Sequence, residues 1–71
     1  MKTGRLNSLL RQARLEAQLT QKQVAQKIGQ TQSYVSKYEN GEQRLDLPEL
    51  EAVCRAVGIP LTDFVKRYDE G

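Results

Sequence analysis

The stretch from Thr20 to Gly41 constrains the fold more than any other, because two short amphipathic segments lie on either side of a glycine. Thr20 is followed three residues on by Gln23, the spacing of a capping box in which each side chain satisfies the other's backbone N–H. Val24, Ala25 and Ile28 then recur at helical spacing and predict one buried face. Gly29 ends that helix, since glycine enters positive φ without strain. Thr31 caps the next helix, expected from Gln32 to about Glu39, with Val35 and Tyr38 turned inward. Asn40-Gly41 ends it; the same pair marks a β-hairpin only between alternating strands, and its flanks here have helical period.

Two helices meeting across so tight a turn impose several demands at once. A small residue is needed where they touch, and Ala25 supplies it. A turn residue of positive φ is needed four positions later, and Gly29 supplies it. Val24, Ile28, Val35 and Tyr38 provide the apolar contacts from both helices. The remaining positions of the second helix, Gln32, Ser33, Ser36 and Lys37, point outward and suit base edges or phosphates. All of these in register predict a helix-turn-helix.

The flanking segments are helical too. Leu6, Leu9, Leu10, Ala13 and Ala17 form one apolar stripe, with Arg11, Gln12, Arg14 and Glu16 mostly off it. Asp46 with Glu49 caps a fourth helix, whose first turn tolerates Pro48. Leu47, Leu50, Val53, Cys54 and Val57 are its expected stripe, and Gly58 closes it. Pro60 keeps Ile59 out of the helical region. A short fifth helix carries Leu61, Phe64, Val65 and Tyr68. Those four are either ordinary core or a dimer patch; the dimer is favoured, because a short terminal helix in a small domain leaves apolar surface uncovered.

Length and composition narrow what can stabilise such a chain. Seventy-one residues make one domain, 1–71, that buries only about 60% of the surface its unfolded chain exposes. One Cys and no His exclude a disulfide framework and a His/Cys zinc site, so no metal or cofactor is expected. Stability must come from helix packing, from a partner subunit, or from both. Cys54, in an apolar stripe with no base nearby, is expected to be a packed thiol. A single thiol fits a reducing compartment, and the expected location is the cytoplasm. No apolar run approaches the roughly 18 residues needed to span a bilayer. Met1-Lys2-Thr3-Gly4-Arg5 leads into the amphipathic segment instead of a signal-peptide core.

Net charge is only +2, but it is unevenly placed. Residues 1–44 hold eight Lys/Arg against three acids, a balance of +5, and residues 45–71 hold three against six, a balance of −3. A polyanion is drawn to the first part and repelled by the second; the alternative is two ordinary solvated surfaces.

Several motifs resemble the helix-turn-helix proteins of the phage Cro and repressor class, the Xre-like family. They are Leu19-Thr20-Gln21, Val24-Ala25, Ile28-Gly29 and the run from Gln32 to Gly41 (Gln-Ser-Tyr-Val-Ser-Lys-Tyr-Glu-Asn-Gly), continued by Arg44-Leu45-Asp46 and Ala56-Val57-Gly58-Ile59. The likeness covers about residues 5–66 and is greatest to short, free-standing bacterial members. It implies an all-α, five-helix repressor-like DNA-binding domain, with the helix-turn-helix at helices 2 and 3 and the third helix in the major groove. Carried over by position, Gln32, Ser33 and Lys37 contact bases. Gln21, Thr31, Tyr34, Asn40 and Arg44 contact the DNA backbone, although Tyr34 either stacks on a sugar or merely covers the helix. Arg14 and Glu39 are expected to pair, joining helix 1 to helix 3, with two independent surface charges as the alternative. The chain departs from the pattern at Gln30, where many members have Val or Ile, and this leaves that side chain open to a phosphate. It has no sensor domain, so no small-molecule effector is implied.

The expected function is sequence-specific binding of double-stranded DNA by a small transcriptional regulator, a repressor or controller of its own or a neighbouring operon, acting as a homodimer. An antitoxin-like protein-interaction module on the same fold is the alternative; it predicts a partner-binding tail, and only about five residues follow helix 5. Catalysis is not expected, since the chain has no His, no nucleophile with a nearby base and no clustered carboxylates.

Overall fold

The caps read from the sequence are formed and set the helix starts. In the computed structural model, which describes residues 2–70 with side chains from Arg5 onward, the order is α1 Lys2–Glu16, α2 Gln21–Ile28, α3 Gln32–Glu39, α4 Leu47–Ala56 and α5 Leu61–Glu70. Met1 and Gly71, the ends of the expected domain, lie outside the described residues, as do the side chains of Lys2 and Thr3. Thr20 Oγ1 accepts from the N–H of Gln23 at 3.1 Å, and Gln23 Oε1 accepts from the N–H of Thr20 at 2.8 Å. Asp46 and Glu49 make the same reciprocal pair, both at 2.8 Å, and Thr31 Oγ1 accepts from the N–H of Tyr34 at 3.2 Å. These bonds satisfy donors that a helix N-terminus otherwise leaves unpaired.

Gly29 ends α2 at φ 69° and ψ 32°, and the N–H of Gln30 reaches back to the Ala25 carbonyl at 2.9 Å. α1 ends the same way without a glycine. Gln18 takes φ 60°, and the N–H of Leu19 donates to the Arg14 carbonyl at 3.2 Å. The Arg14 guanidinium returns the tie, Nη1 donating to the Leu19 carbonyl at 3.0 Å. Gln18 is exposed and its left-handed conformation carries strain. Gln18→Gly is therefore expected to raise stability by about 1 kcal/mol, against the usual penalty for introducing glycine. Chemical denaturation of the two proteins checks it; a loss of stability contradicts the strain.

Every helix contributes to one core. Leu9, Leu10 and Ala13 come from α1, Val24 and Ala25 from α2, Val35 and Tyr38 from α3, Val53 and Cys54 from α4, and Phe64 from α5. α2 packs on α3 and α4, α1 on α3 and α5, and α4 on α5. Burial pushes the Cys54 thiol up to about 11, as a packed, unreactive thiol requires.

Three expectations are corrected. Leu47 has the right spacing for the α4 stripe but is 64% exposed, because it opens the helix beyond the reach of its neighbours. α1 stops at Glu16, so Ala17 lies half-buried in the following turn, not in the helical stripe. α5 continues to Glu70 and takes up most of the tail expected after it. It is tied to α1 by Arg67 Nη1–Glu16 Oε1 at 3.1 Å and by Arg5 Nη2 donating to the Arg67 carbonyl at 3.1 Å. Among the described residues no helix is long and apolar enough to cross a membrane.

Candidate nucleic-acid interface

α3 is held from one side and open on the other. Val35 is fully buried and Tyr38 is 2% exposed, so these two positions root the helix in the core. Gln32, Ser33 and Lys37 are all exposed on the remaining face, with Ser36 partly covered between them. Gln32 and Ser33 form the first turn, just after the Thr31 cap, and Lys37 follows about one turn later. Neither Lys37 nor Arg44 has an ion-pair partner among the described residues.

The far end of α3 is fixed by charge. Arg14 Nε donates to Glu39 Oε2 at 2.7 Å and Nη2 donates to Oε1 at 3.1 Å, so the guanidinium grips the carboxylate with two bonds. The two side chains are only 11% and 3% exposed, and the expected pair is present and part-buried. The bond to Glu39 raises the Arg14 pKa, against the opposing effect of burial. Gln21, the first residue of α2, joins the same carboxylate: its Nε2 donates to Glu39 Oε1 at 3.2 Å. A carboxylate only accepts, so this bond commits the amide nitrogen inward and leaves its second N–H for a phosphate.

The other residues expected at the DNA backbone divide. Thr31 is exposed, and its hydroxyl can donate outward while it caps α3. Asn40 and Arg44 are exposed in the segment after α3, and the Asn40 amide leans back on Ser36 Oγ at 3.4 Å. Gln30 is exposed beside Thr31. Tyr34 differs: its hydroxyl donates to Glu49 Oε2 on α4 at 3.1 Å, and its ring meets Tyr38 edge-on at 5.7 Å and 81°. Burial, with the bond to Glu49, pushes its pKa up to about 12. In this structure the Tyr34 hydroxyl is therefore bonded within the protein, while its side chain stays only half-buried.

The dimer set divides as well. Phe64 is 1% exposed and belongs to the core of the single chain, whereas Val65 is 44% exposed and Leu61 and Tyr68 are half-buried. Val65 and Tyr68 border an apolar cleft with Leu6 and Leu50, and exposed Leu47 precedes Leu50 by one turn of α4. Sequence reasoning did not bring Leu6 and Leu50 to this cleft. The bonds of Gln21 to Glu39 and of Tyr34 to Glu49 were also unread; they link residues 18 and 15 positions apart, beyond any helical period.

A helix-turn-helix family model matches residues 10–64. A search of curated proteins finds no match. Among solved structures, an XRE-family like protein from Pseudomonas syringae pv. tomato str. DC3000 is 38% identical over 97% of this chain and 84% of its own, with a TM-score of 0.91. The restriction-modification controller protein C.Esp1396I, solved as a tetramer in complex with its natural 35 base-pair operator, is 20% identical over 99% of this chain and 92% of its own, with a TM-score of 0.89. The clp gene regulator ClgR from C. glutamicum is 23% identical over 99% and 90%, with a TM-score of 0.87. The last two establish a shared fold. With the family match spanning most of the sequence, and a 38% identical XRE-family protein covering nearly all of it, this chain belongs to the Xre-like family of helix-turn-helix proteins.

Proposed function

We propose that this chain binds specific sites on duplex DNA as a small transcriptional regulator, in the cytoplasm where that DNA lies, with α3 in the major groove. The observation that carries this is the division of α3: Val35, Tyr38 and Glu39 are held by the body of the protein, while Gln32, Ser33 and Lys37 stand clear of it. A helix fixed on its inner side presents its outer polar groups at a set spacing, as reading base edges requires. C.Esp1396I, with the same fold, is solved on its operator, which supports the same use of the fold here.

Pairing through Val65, Tyr68 and Leu61, extended by Leu47, Leu50 and Leu6, would present two α3 helices to successive major grooves. Half-sites then lie about 34–36 Å apart. In vitro selection from random duplexes is expected to enrich a two-fold-symmetric site, and Val65→Asp is expected to reduce the footprint to one half-site. Failure to enrich any sequence removes specific DNA binding. An asymmetric site, protected to the same length by Val65→Asp, removes the dimer.

A further inference from the structure

Tyr34 lies in α3 beside Ser33, yet its hydroxyl is spent on α4. The acceptor is unusual in its duties. Glu49 Oε2 accepts a hydrogen bond from the Tyr34 hydroxyl at 3.1 Å, while Glu49 Oε1 accepts the N–H of Asp46 at 2.8 Å and so closes the cap of α4. The Tyr34 ring is braced by Tyr38, itself 2% exposed. Between α3 and α4 runs the segment with Asn40 and Arg44. It starts after Glu39, held by Arg14 and Gln21, and ends at Asp46, held by Glu49. Both ends of that segment are therefore tied by carboxylates that also bind α2 or α3.

We propose that the Tyr34–Glu49 hydrogen bond is a latch fixing α3 and the Arg44 segment in one register for DNA, with Glu49 as a positioning residue that touches no nucleotide. The proposal rests on the DNA-binding function above. It predicts an effect opposite in sign to that of simple charge. Glu49 lies in the acidic part of the chain, and removing a negative charge ordinarily strengthens attraction to a polyanion. A latch predicts weaker binding instead, because the groups that must meet bases and phosphates together lose their common frame.

The test is a double-mutant cycle read on the selected duplex and its single-base variants. Tyr34→Phe removes only the hydroxyl, and Glu49→Ala removes its acceptor. Each is expected to weaken the selected site about fivefold, the scale of one lost hydrogen bond, with lower preference at the base pairs nearest Gln32 and Ser33. The double variant is expected to bind no worse than the poorer single one. Glu51→Ala makes the same change in net charge at an exposed position and is expected to keep or slightly raise affinity. Tighter binding by Glu49→Ala, or losses that add, overturn the latch; additivity means that Tyr34 meets the DNA itself. If circular dichroism shows Glu49→Ala unfolded, Glu49→Gln is paired with Tyr34→Phe: its amide oxygen still caps α4 and its amide nitrogen can donate to the Tyr34 hydroxyl. Glu49→Gln is then expected to bind nearly as the wild type while Tyr34→Phe loses about fivefold, and wild-type binding by Tyr34→Phe overturns the latch. If the wild-type chain selects no duplex, the function fails on its own, and the latch is judged by the cycle in thermal melts, where additive losses overturn it.

Discussion

Arg14→Ala is expected to remove about 1–3 kcal/mol of folding stability, since the truncation leaves a part-buried carboxylate without its charged partner. Glu39 is 3% exposed at its side chain and accepts two bonds from Arg14 and one from Gln21. Truncating Arg14 leaves that carboxylate out of water with one neutral donor, and it also frees the Leu19 carbonyl that the guanidinium holds at 3.0 Å. Glu39→Ala strands the guanidinium instead and is expected to cost a similar amount, softened because Arg14 is more exposed. In a domain of this size each kcal/mol moves the melting temperature by roughly 4–8 °C, so either change is plain in a thermal melt. Arg14→Lys is expected to rescue little, since an ammonium cannot reproduce the two-pronged grip. The double alanine variant should lose less than the sum of the single losses, because neither charge is then left alone. Near-zero, additive effects are the result that removes the pair as a structural element.

That pair shows where sequence reasoning reaches and where it stops. Residue pattern alone offers Arg14 and Glu39 as polar positions on two different helices; nothing local brings them together, and only likeness to a family suggested that they meet. Helix starts were legible because Thr20, Thr31 and Asp46 act within three residues of themselves, the range over which a side chain can cap its own helix. The end of α1 was not legible. Gln18 adopts the left-handed turn because Leu19 and Arg14 hold the chain on either side, and a glutamine announces nothing of the kind. Periodicity placed Leu50, Val53 and Cys54 correctly but misplaced Leu47, since spacing says which face a residue shares and not whether another helix extends that far. For the same reason Phe64 and Val65, adjacent in sequence and both apolar, part company: one fills the core and the other faces outward. In the site, the outward group Gln32, Ser33 and Lys37 was legible from the inward group Val35 and Tyr38, because one helix cannot bury both. Tyr34 was not, as its partner sits on another helix.

Gln32→Ala and Arg44→Ala are expected to damage DNA binding in different ways. Gln32 stands in the first turn of α3, the end that enters the groove in this fold, and its amide can pair with adenine N6 and N7 together. Removing it should cost about 1–3 kcal/mol on the best site, roughly five- to 150-fold, and flatten the preference at one base pair. Lys37, one turn along the same face, can reach guanine O6 and N7 or a phosphate; the salt dependence of Lys37→Ala decides between them. Arg44 lies past the helix, exposed and without an ion-pair partner among the described residues, and the proposed placement of α3 in the groove would bring it to the sugar-phosphate backbone. Its loss should weaken all duplexes alike and lower the slope of log affinity against log salt by about 0.9. Gln21 gives a third signature: it is neutral, so Gln21→Ala should weaken every duplex without changing that slope, because no counterion is exchanged for an amide contact. Affinities of the four variants for the selected site and its single-base variants, taken at several salt concentrations, separate these outcomes. If Gln32→Ala keeps the sequence preference while Arg44→Ala changes it, the roles are reversed; if none of the four alters binding, the outer face of α3 serves a partner other than DNA.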